Sequence, residues 1–272
     1  MPFALLNKRR LYKVAILSPQ GTYGGWLSDG PLAEQHLSAL VQQTLKRGSV
    51  VLWRLNPYDK NLLSHSNNLL ANRLMPDTTQ ALRIDRKFDD IFRTWSNGHK
   101  RSSNKGEKAG IEVRLASSWN DWLEYFGVYE DSLRRWGDTA TSRYPVEFFE
   151  AIYNQSITNS AIALWIAILD GRIVAGVLCF SAQRIVNYWH GAVLEAFMSQ
   201  RPVHLLMREA IRHYCDHTLQ WFDFNPSGDL EGIRKFKSSF GTQVLATPNV
   251  QFTSKYLTLA RKVFKQRLGW RK

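Results

Sequence analysis

One run of the chain, residues 161–241, limits the possible folds more than any other, because strand patterns, a tight turn and a helix start follow one another without a break. An apolar stretch over 161–169 leads through Asp170-Gly171 into a second over 173–180, and then a third over 185–192 that ends in His190-Gly191-Ala192. An aspartate–glycine pair between two β-rich stretches predicts a two-residue hairpin turn, since both residue types tolerate positive φ. Arg201-Pro202 then enters a helix over 205–217, followed by a strand over 221–225 and a helical stretch from Gly232 to Lys237 ahead of Phe240-Gly241. Polar residues gather at strand ends and helix starts, where α/β folds hold their ligands.

The upstream half reads as further alternation. A strand over 12–17 meets a turn-rich loop over 18–26, and Pro31 enters a helix that stops at Gly48. A strand over 49–55, a helical segment over 61–74 and a short strand over 79–84 follow. Asp85 is expected to cap one helix reaching Gly110. Its first half is apolar through Phe88, Ile91, Phe92 and Trp95, and its second half basic through His99, Lys100, Arg101, Lys105 and Lys108. From 111 the pattern is strand, then a helix over 118–136 with Trp119, Trp122, Leu123, Phe126, Tyr129 and Leu133 facing inward, then a loop and a helix from Pro145 to Tyr153. With the run after 161, the order becomes β-α-α-β-β-β-α-β-α-β.

A chain of 272 residues makes one large domain or two modest ones. The net charge of +13 is uneven, with 17 Lys/Arg against 8 Asp/Glu through Gly110 and 19 against 15 beyond it. Such a surplus points to polyanionic partners. No apolar stretch nears the roughly 20 residues that span a bilayer, and the opening Met1 to Arg10 places its charges on the wrong side of too short an apolar stretch for a secretory signal. Cys179 in a strand and Cys215 in a helix argue against a disulfide framework. A cytoplasmic location is expected. There is no Walker loop, no dinucleotide fingerprint and no Gly-x-Ser-x-Gly elbow.

Several pieces carry a family resemblance by their order and spacing: Gly21-Thr22-Tyr23-Gly24-Gly25, Lys105 through Ile111, Asp170-Gly171 with Ala175-Gly176, Tyr188 through Ala192, Arg201-Pro202, Phe222-Asp223-Phe224, and Gly232 through Lys237 to Phe240-Gly241. In these the chain resembles the FemAB-like, double-GNAT acyltransferases, a group that includes peptidoglycan-bridge aminoacyltransferases and BioF2-like acetyltransferase domains. The resemblance implies an α/β (α+β) fold of the acyl-CoA N-acyltransferase type, a mixed central sheet flanked by helices, in tandem halves. Only about twenty residues precede the Tyr-Gly-Gly loop, so the first half is expected to be shortened at its N-terminus. The expected division is 1–110 with a basic linker helix over 86–110, a complete second half over 111–252, and a basic amphipathic helix over 253–272.

The candidate chemistry lies in a few side chains. The first N–H groups of the helix after Arg201-Pro202 form an anion site, since they lack intrahelical partners and carry the positive end of the helix dipole. By resemblance, Arg201 with Val203 and His204 would hold the donor's pyrophosphate there. His190 can act as a base or position an acceptor, because histidine titrates near neutrality. Asp223, at a strand end, can orient or deprotonate an amine, although it and Asn225 also suit capping of the following loop. Helical spacing sets Lys237 beside inward-facing Ile233, Phe236 and Phe240, where a cation would stabilise an oxyanion or a phosphate. Peptidoglycan-bridge enzymes use a lysine in such a Phe-Lys pair. Tyr23, Arg101, Lys105, Tyr188, Asn225 and Lys235 are the candidate substrate contacts. His213 and His217 share a helix face, yet no third ligand accompanies them and no metal site is expected.

The reading is therefore an enzyme that transfers an acyl or aminoacyl group to an amine of a cell-envelope or exopolysaccharide precursor. It needs no tightly bound cofactor, and its co-substrate is an acyl-CoA or an aminoacyl-tRNA. Its partners would be a nucleotide- or lipid-linked glycan precursor, tRNA, and the membrane surface through the basic tail. The alternative is a non-catalytic binding protein that uses its basic surface for RNA or an anionic membrane. The oligomeric state is left open.

Overall fold

A computed structural model of the chain describes residues 2–8, 12–17, 22–28, 30, 32–70, 73–140, 143–215, 217–228 and 230–259. Two compact units emerge, one formed by residues 1–78 with 245–272 and the other by 79–244.

The first unit contains β1 (Ala4–Lys8), β2 (Tyr12–Ile16), α1 (Glu34–Arg47), β3 (Val50–Arg54), α2 (Lys60–Leu70) and β4 (Leu74–Met75), with one more strand, β12 (Asn249–Thr253), returning from far along the sequence. The strands order as β1-β2-β3-β12-β4. β2 and β3 run parallel and are joined through α1, and the other neighbours are antiparallel. Leu37 and Val41 of α1 pack on Ala15, Val51, Trp53 and Phe252. In the Tyr-Gly-Gly loop, Gly24 makes a parallel bridge to Leu55, and a Cβ at that position would lie 2.6 Å from the Leu17 carbonyl oxygen. Only glycine permits that approach. Pro31 and most of the basic tail, 260–272, lie outside the described residues, and of the tail helix only 255–259 is seen.

The second unit is built on β5 (Thr78–Arg83), β6 (Glu112–Leu115), β7 (Ile162–Leu169), β8 (Arg172–Ala182), β9 (Ile185–Val193), β10 (Trp221–Asp223) and β11 (Gln243–Ala246). Their order is β11-β5-β10-β9-β8-β7-β6, and β9 with β10 is parallel while β5–β10 and β6 through β9 are antiparallel. Asp170 and Gly171 both take positive φ, 51° and 74°, which is the type I′ turn expected of the β7–β8 hairpin. Helices α3 (Phe88–Thr94), α4 (Asn97–Lys108), α5 (Trp119–Trp136), α6 (Val146–Ser156), α7 (Pro202–Cys215) and α8 (Glu231–Ser238) complete the unit.

Three expectations are corrected here. The helix expected from Asp85 to Gly110 is two helices: Ser96 breaks the run and caps α4 by accepting from the His99 N–H, while Asp85 binds Arg83 at 2.6 and 2.8 Å and caps nothing. On α5, Trp122 and Tyr129 are buried as expected, but Leu123 is 45% exposed, and Asp121, Tyr125, Val128 and Ser132 join the buried stripe. The unit boundaries differ from those expected at 110 and 252. β5 pairs with β10 and α4 packs on α7, so 79–110 belong with the second sheet; β12 pairs with β3, so the chain returns to the first unit after 244.

Candidate functional site

The second unit has a fork. β9 and β10 pair in parallel for only three residues, Ile185 to Asn187 against Trp221 to Asp223. β10 then ends while β9 continues to Val193, so past Asn187 its β10-side edge has no strand partner among the described residues. The carboxyl ends of parallel strands are where α/β folds receive ligands. The expected strand over 221–225 stops at Asp223 because Asn225 turns into the left-handed region, with φ at 60°.

A buried polar network closes the base of the fork. Asp223, fully buried, accepts from the Thr79 hydroxyl at 2.7 Å and from the Asn225 N–H at 2.7 Å. Asn225 exchanges amide hydrogen bonds with Asn187 at 2.7 and 3.0 Å and donates to the Tyr188 carbonyl at 2.9 Å, which ties the two strand ends together. Lys237, only 5% exposed, reaches from α8 to donate to the Asn225 carbonyl at 2.6 Å and the Pro226 carbonyl at 3.4 Å. Burial pulls its ammonium down to about 8, and the charge of Asp223 opposes that shift. At pH 7 it is still a cation. An ammonium has three donors, and two carbonyls are its partners among the described residues.

His190 stands on the same sheet face as Asp223. Its partner on β8 is Leu178, and Phe180, opposite Asn187, shares that face, as does Asp223 beside Asn187. Its Nδ1 lies 2.7 Å from the Tyr125 hydroxyl, and its ring packs on Tyr129 and Phe149. Burial lowers the imidazole to about 4, so it is neutral at pH 7. Tyr125 fits beneath β8 because position 176 is glycine: a Cβ there would come within 2.4 Å of the phenol ring.

A bulge in β9 decides what accompanies His190. Tyr188 pairs with Cys179 and His190 with the adjacent Leu178, so Trp189 is the extra residue. Tyr188 and His190 would share a face in a regular strand. The bulge sends them to opposite faces, with Tyr188 lying over Gly191 and against Phe224.

At the start of α7, Arg201 is exposed and left-handed, with φ at 64°, and Pro202 is the first helical residue, three earlier than expected. The Val203 N–H is a first-turn group that the helix itself leaves unpaired. α4 packs against this start. A Cβ on Gly106 would lie 3.1 Å from the Leu205 Cβ and 3.2 Å from the Arg201 carbonyl oxygen, and Arg208 of α7 binds Glu107 at 2.7 and 3.1 Å. His204, the third candidate phosphate contact, follows Val203 in the first turn. Its ring packs on His99 and Phe236, and burial, followed by the charges of His99 and Arg201, lowers it to about 4.

The structure thus gathers Lys237, Asp223 and Asn225 at the fork, with His190 on the same face as Asp223. It separates Tyr188, which lies on the other face, and Lys235, which is exposed on α8. Arg101 and Lys105 are exposed on α4, on the side away from Gly106 and therefore from α7. Tyr23 belongs to the first unit, edge-on to Tyr58. The His213 and His217 rings lie 4.6 Å apart and tilted, and among the described residues no group of three His, Cys, Asp or Glu could hold a metal. Sequence reading missed Thr79, Tyr125 and His99. For Tyr125 a signal existed, since 122, 125, 129 and 132 form an unbroken i, i+3, i+4 stripe.

The family described as acetyltransferase (GNAT) domain matches residues 93–238, inside the second unit. FemX superposes with a TM-score of 0.71 at 14% identity, over 94% of this chain and 85% of FemX. The C-terminal domain of a putative lysylphosphatidylglycerol synthetase from Agrobacterium fabrum gives 0.61 at 12% identity, over 96% and 86%. L-PGS from Bacillus licheniformis gives 0.59 at 10% identity, over 94% and 82%. At these identities the likeness is one of fold, the mixed α/β architecture expected. No curated protein matches the chain in sequence. With a family match across more than half its length, the chain belongs to the acetyltransferase (GNAT) domain family.

Proposed function

We propose that this protein is an N-acyltransferase that moves an acyl or aminoacyl group from acyl-CoA or aminoacyl-tRNA to an amine of a cell-envelope or exopolysaccharide precursor. The observation that carries the reading is Lys237, a buried cation held at the base of the fork by two backbone carbonyls. A pre-oriented charge in a water-poor site stabilises the oxyanion of a tetrahedral intermediate without reorganising. Asp223 orients the amine through the Asn225 loop that it holds, and the first turn of α7 with Arg201 binds the donor's phosphates. The β10-side edge of β9 offers ladder groups to an extended donor arm. The cell-envelope acceptor rests on the FemAB-like resemblance, and the likeness to a putative lysylphosphatidylglycerol synthetase domain supports it. No described helix is long and apolar enough to cross a membrane, and the protein is proposed to work in the cytoplasm, reaching the membrane through its basic tail.

Titration with acetyl-CoA, tRNA and anionic vesicles tests this directly. Saturable acetyl-CoA or tRNA binding that Arg201→Ala weakens, together with transfer to an amine, is the expected result. Binding of polyanions alone, weakening steeply with salt and indifferent to Arg201, would instead favour a binding protein that uses the exposed Arg101 and Lys105.

A further inference from the structure

We infer that His190 serves the reaction as a neutral hydrogen-bond donor through Nε2–H, not as a base, and that Tyr125 is the positioning residue that sets this tautomer. The inference rests on the acyl-transfer reading above and concerns the same fork.

The tautomer follows from counting donors. Tyr125 is fully buried, and its hydroxyl has one partner among the described residues, the His190 Nδ1 at 2.7 Å. If Nδ1 carried the proton, it would donate to the phenol oxygen, and the phenol O–H would be left buried with no acceptor. That arrangement is disfavoured, because an unsatisfied buried donor loses its full hydration. Tyr125 therefore donates, Nδ1 accepts, and the single proton of the neutral ring stays on Nε2. Burial keeps the ring neutral and also raises the phenol above its ordinary range, so neither partner ionises near pH 7. The residue is only partly covered, and Nε2 makes no hydrogen bond among the described residues. A nitrogen that already bears its proton cannot accept one from the amine.

The chemistry suits a donor. The amine nitrogen bonds to the donor's carbonyl carbon, and the C=O π pair moves onto oxygen, which accepts from Nε2–H as it does from Lys237. On collapse the pair returns, the carbon–sulfur bond of acyl-CoA or the carbon–oxygen bond of aminoacyl-tRNA breaks, and its electrons leave on the donor. The proton lost by the amine passes to that leaving group. Nε2–H remains on His190 throughout. Gly176 and the bulge at Trp189 both support the arrangement, the first by making room for Tyr125 and the second by turning His190 onto the face of Asp223.

Two measurements test the inference. In protein labelled with 15N-histidine, with His190→Gln to assign the signal, His190 is expected to show a protonated Nε2 and an unprotonated Nδ1. Tyr125→Phe should shift that signal toward a mixture of tautomers. For turnover, CoA release from acetyl-CoA is followed with an amine acceptor. His190→Gln retains an amide donor but no basic nitrogen, and should stay within about tenfold of the parent, while His190→Ala should lose about a hundredfold, as for an oxyanion donor. Tyr125→Phe should lower kcat about tenfold with little change in KM. A wild-type proton on Nδ1, or a folded His190→Gln as inactive as His190→Ala, would overturn the proposal. Failure of the wild type to transfer any acyl group would instead refute the enzyme reading, and the nitrogen signals would still decide the tautomer.

Discussion

Lys237→Met tests whether the cation at the base of the fork is as buried as its surroundings require. In the unfolded chain the ammonium has its ordinary value of 10.5, whereas in the folded protein burial lowers it to about 8. That difference corresponds to about 3 kcal/mol against the charged form. The unfolded chain binds more protons across this window, so stability rises with pH. The penalty is complete below pH 8, shrinks between 8 and 10.5, and vanishes above. Methionine removes the penalty but leaves the Asn225 and Pro226 carbonyls without their donor, a loss of about 1–3 kcal/mol. The two effects nearly cancel at pH 7. Their difference does not stay constant: from pH 7 to pH 10 the parent should gain about 2–3 kcal/mol relative to Lys237→Met. Urea unfolding of both proteins at each pH reads this, since every other titrating group is shared. In parallel, the parent's kcat/KM should fall above about pH 8 as the cation is lost, and the variant's should be low without that inflection. A stability difference that stays flat from pH 7 to 10 would refute the buried-cation assignment.

Other substitutions probe neighbouring parts. Arg201→Gly relieves a left-handed backbone while removing the charge, so stability should rise by about 0.5–1 kcal/mol while acetyl-CoA affinity drops in calorimetry. A glycine variant that keeps its affinity would show that the guanidinium does not hold the donor. Gly176→Ala puts a methyl group into the Tyr125 ring and should cost about 2–3 kcal/mol in unfolding experiments, with loss of the His190 tautomer signal. Thr79→Val removes one of the donors to Asp223 and should cost about 1–2 kcal/mol and several-fold in turnover; an unaltered protein would mean the buried carboxylate does not depend on it.

Much of the fold was legible because it is written in local chemistry. The Asp170-Gly171 turn, the Gly48 stop, the apolar periods of β7 and β8, and the Arg201-Pro202 helix start all act over a few residues. Their order was enough to suggest the family. The break at Ser96 was also local, but the apolar stripe from Phe88 to Trp95 ran up to the basic stretch and masked it. Lys237 and Asp223 were legible as polar groups in apolar settings.

The sequence by itself determined most of the elements between 111 and 240, their order, and which polar residues stand at strand and helix ends, since propensity, turn chemistry and period depend on near neighbours. Only the tertiary structure decided which of those residues meet. One extra residue at Trp189 moves Tyr188 to the far face and turns His190 toward Tyr125, a hydroxyl 65 positions away in the chain. The burial that lowers Lys237 and keeps His190 neutral comes from helices and strands scattered along the sequence. A strand's faces alternate with each residue, so a single bulge reverses them, and no local pattern marks where that bulge falls.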